Sequence, residues 1–206
     1  MVIAIDGPAG AGKSTVARAV AQRLGFHFLD TGAMYRCVAL AATESGLPAA
    51  EIARDARIAL SGRVLLDGRD VTEAIRRPEV SAAASEVSTD QQVRDALVAQ
   101  QQRLLSDGNW VAEGRDIATV VVPDAAVKVF LTADPQERAR RRAVELDADV
   151  DTVLYELKRR DEQDEARQHS PLVRASDAVE LDTTRLSSDE VVDHIVALAA
   201  SAGVAR

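Results

Sequence analysis

The pattern of apolar and polar residues along the chain predicts strands that alternate with helices. Residues 2–5 form a short, wholly apolar run rich in β-branched side chains, which is typical of a central parallel strand covered on both faces. Residues 14–24 then place Val16, Val20 and Leu24 at spacings of four. The chain is therefore expected to begin with a buried strand, a loop and an amphipathic helix.

The same alternation continues to the end of the chain. We predict further core strands at residues 26–29, 110–112, 126–131 and 178–181. We predict further helices at residues 33–45, 80–87, 91–105, 151–167 and 187–200, and one that begins after Asp134. In the helix over 91–105, we expect Val93, Leu97 and Leu104 to share the buried face.

Two of these helices have well-marked starts. Asp134 precedes Pro135, and Glu137 stands three residues after Asp134, which is the pattern of an N-cap with proline in the first turn. Ser187 and Glu190 have the spacing of a capping box.

Strands that alternate with helices imply an α/β fold, with a five-stranded parallel sheet covered by helices on both faces. Ligands of such sheets bind beyond the carboxyl ends of the strands. Between residues 57 and 73, short β-prone pieces surround the turn signals Ser61-Gly62 and Asp67-Gly68, which indicates a small antiparallel insertion. We expect one domain over residues 1–206, with the insertion at about 46–90.

The loop after the first strand matches the pattern G-x-x-x-x-G-K-[ST] in the strand-loop-helix context that it requires. Glycines let the backbone N–H groups turn towards a phosphate, the lysine reaches the β- and γ-phosphates, and the following hydroxyl binds Mg²⁺. The motif predicts a P-loop NTPase fold, with ATP as phosphoryl donor, Lys13 as a catalytic residue and Ser14 as the metal ligand. The expected ATP-binding residues are Gly7, Pro8, Ala9, Gly10, Ala11, Gly12, Lys13, Ser14 and Thr15. A dinucleotide-binding loop is disfavoured because Thr15 stands where that motif needs glycine or alanine.

Composition limits the partners and the location of the protein. The 206 residues carry a formal net charge of −8, which argues against general binding of nucleic acid or of anionic membranes. The single Cys37 cannot form an internal disulfide, and no apolar run approaches the ~20 residues of a membrane-spanning helix. We expect a cytoplasmic protein that acts as a monomer on small molecules.

Arginines at the predicted strand ends indicate where the phosphoryl acceptor binds. Arg36 follows Asp30-Thr-Gly32 and Arg115 follows the strand at 110–112, and both have the planar fork that suits a phosphate. Asp30 and Asp116, on the same rim, could contact the metal, its waters or the acceptor.

The predicted helix over 151–167 continues its apolar stripe with charged residues at the same spacing. They are Arg160, Asp164 and Arg167. Such a ladder can bind a phosphate through arginine and a ribose diol through aspartate, or it can form an intrahelical chain of salt bridges.

A further group of arginines lies in the helix that begins after Asp134. Arg138, Arg141 and Arg142 share one face, whereas Arg140 lies off it. Such a run is often only a solvated face, but mobile lids commonly bring arginines over a transferring phosphoryl group. We predict a short helical lid at about 134–160, with Arg138 and Arg142 as catalytic residues.

Four segments together resemble the bacterial cytidylate kinases over nearly the whole chain. They are residues 3–13, residues 29–36, residues 113–121, and residues 160–167 with Arg160, Asp161, Asp164 and Arg167. The resemblance implies a nucleoside monophosphate kinase, with an acceptor-binding insertion and a lid. It also implies the reaction ATP + CMP ⇌ ADP + CDP in pyrimidine metabolism, with dCMP well accepted and UMP poorly.

The resemblance assigns roles to individual residues. Arg36, Arg115 and Arg167 would bind the CMP phosphate, with Arg115 also catalytic, and Arg160 and Asp164 would contact the ribose. Ser85, Arg94 and Asp116 would recognise the cytosine. These roles are chemically consistent, because a carboxylate accepts from the cytosine amino group while hydroxyl and guanidinium groups donate to its ring acceptors.

Two other functions share parts of this pattern. A P-loop kinase of another small acceptor, such as shikimate, would need the same ATP-binding loop but not Ser85 or Arg94. A GTP-dependent switch would need an N-K-x-D segment, and the chain's only asparagine is Asn109, which is followed by Trp110.

Overall fold

The first strand, β1 (Val2–Asp6), is buried at every position and is central in a five-stranded sheet. The structure is a computed structural model that describes residues 1–167 and 169–203. The strands of this sheet are β2 (His27–Asp30), β6 (Trp110–Gly114), β1, β7 (Val127–Thr132) and β8 (Val179–Asp182), in that spatial order. The pairs β1–β6, β1–β7 and β7–β8 are parallel, which confirms the predicted fold class.

The chain divides into two compact units. The first consists of residues 1–28 and 107–203, and the second of residues 29–106, so that the division falls within β2. The helices of the first unit are α1 (Lys13–Leu24), α6 (Pro135–Leu146), α7 (Val150–Glu165) and α8 (Ser188–Ser201). Its main core joins β1 and β7 to α1 and α8, with Ile3, Ile5, Val20, Leu131 and Ile195 almost completely buried.

A second, smaller core holds the α6–α7 hairpin. Ala139 and Ala143 of α6 pack against Val153 and Leu157 of α7, and Ala9 belongs to the same cluster. The hairpin therefore packs directly on the loop that follows β1.

The second unit contains four helices and a small sheet. The helices are α2 (Thr31–Ser45), α3 (Ala49–Asp55), α4 (Pro78–Val87) and α5 (Gln91–Leu105). The sheet is antiparallel, in the order β3 (Ile58–Ser61), β4 (Arg63–Leu66) and β5 (Arg69–Asp70), as the turn signals predict. A short 3₁₀ turn at Ala74–Arg76 leads into α4.

Three features differ from the sequence prediction. Helix α3 was not predicted, and in α5 the buried residue is Leu105, while Leu104 is exposed. After β6 the chain forms one turn of π-helix at Ile117–Val121, in which the N–H of Val121 and the N–H of Val122 donate to carbonyls five residues earlier. Such turns are rare and often lie at functional sites.

The predicted helix starts agree with the structure. The Asp134 carboxylate accepts from the N–H groups of Gln136 and Glu137, and Ser187 and Glu190 form the full capping box. Within residues 1–167 and 169–203, no helix has the length and apolar character needed to span a bilayer.

Candidate active site

The loop between β1 and α1 has the backbone geometry of a phosphate cradle. Gly7, Gly10 and Gly12 all have positive φ, which ordinary residues rarely adopt. A Cβ atom on Gly7 would collide with the carbonyl oxygen of Leu131, so that the loop can approach β7 only with glycine at this position.

Side chains from other elements hold two carbonyls of this loop. Arg138 Nη1 donates to the Ala9 oxygen at 3.0 Å, and Thr183 Oγ1 donates to the Ala11 oxygen at 3.4 Å. In a trans peptide the next N–H points opposite to the carbonyl, so the N–H groups of Gly10 and Gly12 point away from these donors. The loop therefore keeps N–H groups directed away from its protein contacts, as anion binding requires.

Lys13 is the buried cation of the loop. Its Nζ donates to the Pro8 carbonyl oxygen at 2.7 Å. Burial, followed by the nearby Arg115 cation, lowers the pKa of Lys13 to about 7, whereas Glu113 of β6 acts in the opposite direction. A buried amine without an adjacent hydrogen-bonded carboxylate is suited to an anionic ligand, because a phosphate would restore its ordinary pKa.

A second charged cluster in the same unit is centred on Asp164 of α7. This buried carboxylate accepts from Arg115 Nε at 2.8 Å and from Arg167 Nη2 in a short hydrogen bond. Burial raises the pKa of Asp164, but Arg115, Arg167 and Arg160 together hold it below its usual value. The predicted ladder is thus joined to β6 through Arg115 as well as along the helix.

The two clusters of the first unit are within electrostatic reach of each other. Arg115, Arg160 and Asp164 all influence the charge state of Lys13. β1 and β6 run parallel in the register Asp6 to Gly114, so the P-loop and the Arg115-Asp116 turn leave the sheet at the same edge. The prediction that these two loops share a rim is supported.

The turn after β6 is held by a residue that the sequence analysis did not select. Asp6, the last residue of β1, is 1% exposed and accepts from the N–H groups of Ile117 and Ala118 at 2.9 and 2.8 Å. Burial raises the pKa of Asp6 to about 6, although both N–H donors act against this rise. Its position immediately before the P-loop was the one available signal.

The arginines of α6 have different surroundings. Arg138 is buried, and besides Ala9 it binds the Ala133 carbonyl at 3.1 Å and the Asp161 carboxylate at 2.6 Å. Arg142 is partly exposed, and its Nη1 donates to Glu145 at 2.7 Å. In this structure Arg138 fastens the α6–α7 hairpin to the P-loop, and the sequence analysis missed its partner Asp161 as a site residue.

In the second unit, Arg36 is held by the residue that caps its own helix. Asp30 Oδ1 accepts from the N–H of Ala33, and Asp30 Oδ2 accepts from Arg36 Nη2 at 3.0 Å. The role of Asp30 was open in the sequence, and the structure shows it as N-cap and ion-pair partner of Arg36. A Cβ on Gly32 would lie 3.2 Å from Arg36 Nη1 and from Asp30 Oδ1, so a larger residue here would require these side chains to shift by a few tenths of an ångström.

The two predicted cytosine contacts of the second unit lie on α4 and α5. Arg94 is 4% exposed, donates to the Ser88 carbonyl at 3.4 Å and lies 5.6 Å from the centre of the Tyr35 ring. Ser85 Oγ donates weakly to the Ser81 carbonyl at 3.4 Å. Tyr35 is a further residue of this group that the sequence analysis did not select.

A magnesium ion bound with the nucleotide is compatible with the residues present. Within the described ranges, no group of three or more His, Cys, Asp or Glu side chains is arranged to hold a metal ion. Ser14 lies exposed in the first turn of α1, where its hydroxyl oxygen is a donor atom of the kind that Mg²⁺ prefers. Cys37 is buried and burial raises the pKa of its thiol to about 12, so it offers no reactive thiolate.

The glycine loop, its buried lysine and the parallel sheet define a P-loop kinase. A family model described as cytidylate kinase matches residues 3–201. The chain belongs to the cytidylate kinase family, and the resemblance found in the sequence is confirmed.

Individual relatives agree with this assignment. The cytidylate kinase of Geobacter sulfurreducens is 47% identical over 211 residues, which cover 95% of this chain and 91% of the relative. The cytidylate kinase of Pelotomaculum thermopropionicum is 49% identical over 212 residues, covering 95% and 94%. A solved shikimate kinase from Bacteroides thetaiotaomicron has a TM-score of 0.52 at 14% identity, covering 96% of this chain and 97% of that one, and this likeness shows the fold alone.

Proposed function

We propose that the protein transfers the γ-phosphoryl group of ATP to CMP and dCMP, giving CDP and dCDP. The observation that carries this proposal is the electrostatic proximity of Lys13 to Arg115, Arg160 and Asp164, in a chain that belongs to the cytidylate kinase family. A phosphate-binding lysine and a carboxylate-arginine cluster thus lie within one unit, as a phosphoryl donor and a ribose phosphate would require.

The first unit supplies the donor site and part of the acceptor site. We assign Gly7–Thr15 to ATP, with the N–H groups of the loop and Lys13 on its phosphates. Ser14 would hold the Mg²⁺ carried with ATP, and the ion would neutralise charge on the β- and γ-phosphates. Arg115 and Arg167 are assigned to the CMP phosphate, Arg160 and Asp164 to its ribose, and Asp116 to the cytosine amino group.

The second unit supplies further acceptor contacts. Arg36 is assigned to the CMP phosphate, supported by the Asp30 ion pair that orients its guanidinium. Ser85 and Arg94 are assigned to the cytosine ring. Arg94 is buried and its guanidinium lies over the Tyr35 ring, so the orientation of this side chain is set before the ligand binds.

These residues catalyse transfer without a covalent enzyme intermediate. Lys13 and the loop N–H groups hold the β- and γ-phosphates, while the arginines hold the acceptor phosphate in line and stabilise the charge of a loose transition state. Arg142, whose partner Glu145 is exposed, is assigned to the transferring group when the α6–α7 hairpin acts as the lid. We assign the enzyme to the cytoplasm and to the monomeric state, in line with its nucleotide substrates and free cysteine.

An acceptor panel tests this proposal. Coupled ADP release with Mg²⁺-ATP should show strong turnover with CMP and dCMP, weak turnover with UMP, and background rates with AMP, GMP and shikimate. ATP alone controls for hydrolysis. Turnover with shikimate or another acceptor, and none with CMP or dCMP, would contradict the cytosine assignment. Slow hydrolysis of GTP without transfer to any acceptor would indicate the switch instead.

A further inference from the structure

A buried carboxylate that contacts no proposed substrate group ties the P-loop strand to the acceptor-binding turn. Asp6 ends β1, and Gly7, the first residue of the P-loop, follows it directly. Its two carboxylate oxygens each accept one N–H, from Ile117 and from Ala118, which are 111 and 112 residues away in the sequence. These N–H groups begin the π-helical turn that directly follows Arg115 and Asp116.

The hydrogen bonds are placed where they fix the turn. The first N–H groups of a helical turn have no partner within it, so an acceptor there determines where the turn begins. Asp116 immediately precedes these N–H groups, and its own carbonyl accepts from the N–H groups of Val120 and Val121. Moving the start of the turn would therefore move Asp116 and Arg115.

Keeping a charge at this position is costly. Asp6 is 1% exposed, Asp116 adds a like charge nearby, and Lys13 is the cation that acts on it. The two N–H donors only partly offset the cost of burying the charge, because the pKa of Asp6 is still raised to about 6. A buried carboxylate retained at such a cost, on a strand that is otherwise wholly apolar, is explained best by a role at the site.

We infer that Asp6 is a positioning residue for the acceptor, which holds Arg115 and Asp116 in place through the N–H groups of Ile117 and Ala118. The inference rests on the proposed function, in which Arg115 and Asp116 contact CMP. The P-loop is anchored independently, through the contact of Gly7 with Leu131 and the bonds from Arg138 and Thr183. Loss of Asp6 should therefore affect the acceptor more than ATP.

The test is Asp6→Asn, which keeps the size of the side chain and removes its charge and one acceptor oxygen. We expect the KM for CMP to rise about tenfold, the KM for ATP to change less than about threefold, and the ratio of kcat/KM for CMP over UMP to fall about tenfold. The ratio is the decisive readout, because a residue that only stabilises the fold would not change base selection. Asp177→Asn, at an exposed carboxylate paired with Lys128, is the matched control and should leave all three values unchanged.

The outcomes separate the inference from the proposed function. Asp116→Asn tests the proposed cytosine contact directly, and an unchanged ratio in that variant contradicts the role of Asp116. A normal KM for CMP in Asp6→Asn, together with an impaired Asp116→Asn, contradicts the inference about Asp6 alone. If Asp6→Asn raises the KM for CMP and the KM for ATP equally and leaves the CMP/UMP ratio of kcat/KM unchanged, Asp6 has only a structural role. This result would also overturn the inference.

A measurement on the wild-type enzyme keeps the inference testable if the variant does not fold. Amide hydrogen exchange followed by NMR should show Ile117 and Ala118 as strongly protected as the buried strand residues Val111 and Ala112. Exchange at the rates of an open loop would mean that the Asp6 hydrogen bonds do not hold this turn.

Discussion

At the scale of single residues, the site is built from charges that the fold buries at a cost. Lys13 is buried and its pKa is lowered to about 7, mainly by burial and then by Arg115. Its Nζ donates to a neutral carbonyl, that of Pro8. Such a group destabilises the protein without nucleotide, and its proposed contact with the phosphates of ATP explains why it is retained.

Replacing Lys13 should separate stability from activity. We expect Lys13→Met to lower kcat by about 10²- to 10³-fold or more, because the cation on the β- and γ-phosphates is lost. The pKa of Lys13 is about 7 in the folded protein and 10.5 in the unfolded chain. The charged lysine therefore destabilises the folded protein at and below neutral pH, and this cost declines as the pH rises towards 10.5. The variant without nucleotide should therefore melt above the wild type at pH 7, as differential scanning fluorimetry can measure.

Lys158→Met, which replaces an exposed lysine on α7, is the control and should change neither kcat nor the melting temperature. Turnover of Lys13→Met at the wild-type rate would contradict the mechanism.

Asp30 combines two roles that substitutions can divide. Asparagine caps a helix as well as aspartate, so Asp30→Asn should keep the start of α2 and lose only the charge pairing with Arg36. Because a partly exposed pair contributes little to stability, the melting temperature should change little, whereas Arg36 loses the partner that orients it and the KM for CMP should rise about fivefold. Asp30→Ala should in addition lower the free energy of unfolding by about 1 kcal/mol, the usual value of a cap.

Steady-state kinetics and urea unfolding of the two variants check this division. If Asp30→Asn binds CMP normally, Asp30 does not position Arg36 for the acceptor.

At the scale of secondary-structure elements, hydrogen bonds between residues close in sequence could be predicted, and those between residues far apart in sequence could not. The N-caps Asp134 and Ser187 bond to residues two or three positions away, so a short sequence pattern contains the whole interaction. The π-helical turn at Ile117–Val121 donates two N–H groups to Asp6, more than 100 residues earlier, and its β-branched residues have no helical signal of their own. Asp161 and Thr183 were missed for the same reason, because Arg138 and the P-loop are distant from them in sequence.

The same reasoning applies to element boundaries and faces. The stripe of Val153 and Leu157 correctly predicted that Asp164 is buried, because helical spacing alone sets that position. Leu104 and Leu105 are adjacent leucines, and only tertiary packing decides that Leu105 is the buried one. The assignment of residues to ATP and CMP stays a prediction.

The α6–α7 hairpin contains two arginines whose replacement should have different effects. Arg138→Met removes three hydrogen bonds and leaves the Asp161 carboxylate without its partner, so we expect the melting temperature to fall by about 5 °C or more and the KM for ATP to rise. Arg142→Met breaks only a partly exposed pair with Glu145, so its melting temperature should change by less than about 2 °C.

If Arg142 acts on the transferring phosphoryl group, kcat of Arg142→Met should fall about 10³-fold with little change in the KM for ATP. Thermal melts and initial rates on both variants check these expectations. Wild-type turnover of Arg142→Met would remove Arg142 from the catalytic residues.

At the scale of the whole molecule, the charge distribution matters more than the total charge. The chain carries a net charge of −8, and both of its proposed substrates are anions. Under the proposed function, Lys13 and the arginines around Asp164 overcome this long-range repulsion locally. Arg115 and Arg167 both pair with the buried carboxylate of Asp164, so an acidic residue takes part in the proposed phosphate-binding site.

The pH dependence of stability should reveal the charge that Asp6 carries in the folded protein. The pKa of Asp6 in the folded protein, about 6, lies above its ordinary value of 3.8. The buried carboxylate therefore costs stability above pH 6, and this cost is relieved as the pH falls towards 3.8. Between pH 7.5 and pH 5, the free energy of unfolding of the wild type should therefore rise relative to that of Asp6→Asn, by about 1 kcal/mol.

The comparison with Asp6→Asn cancels most contributions from other titrating groups, including Asp164, whose lowered pKa matters only at more acidic pH. Urea unfolding of both proteins at the two pH values, without nucleotide, measures the difference. A difference that stays constant, or that moves in favour of Asp6→Asn on acidification, would mean that Asp6 is not held as a costly buried charge. The explanation of its presence by the needs of the acceptor site would then fail.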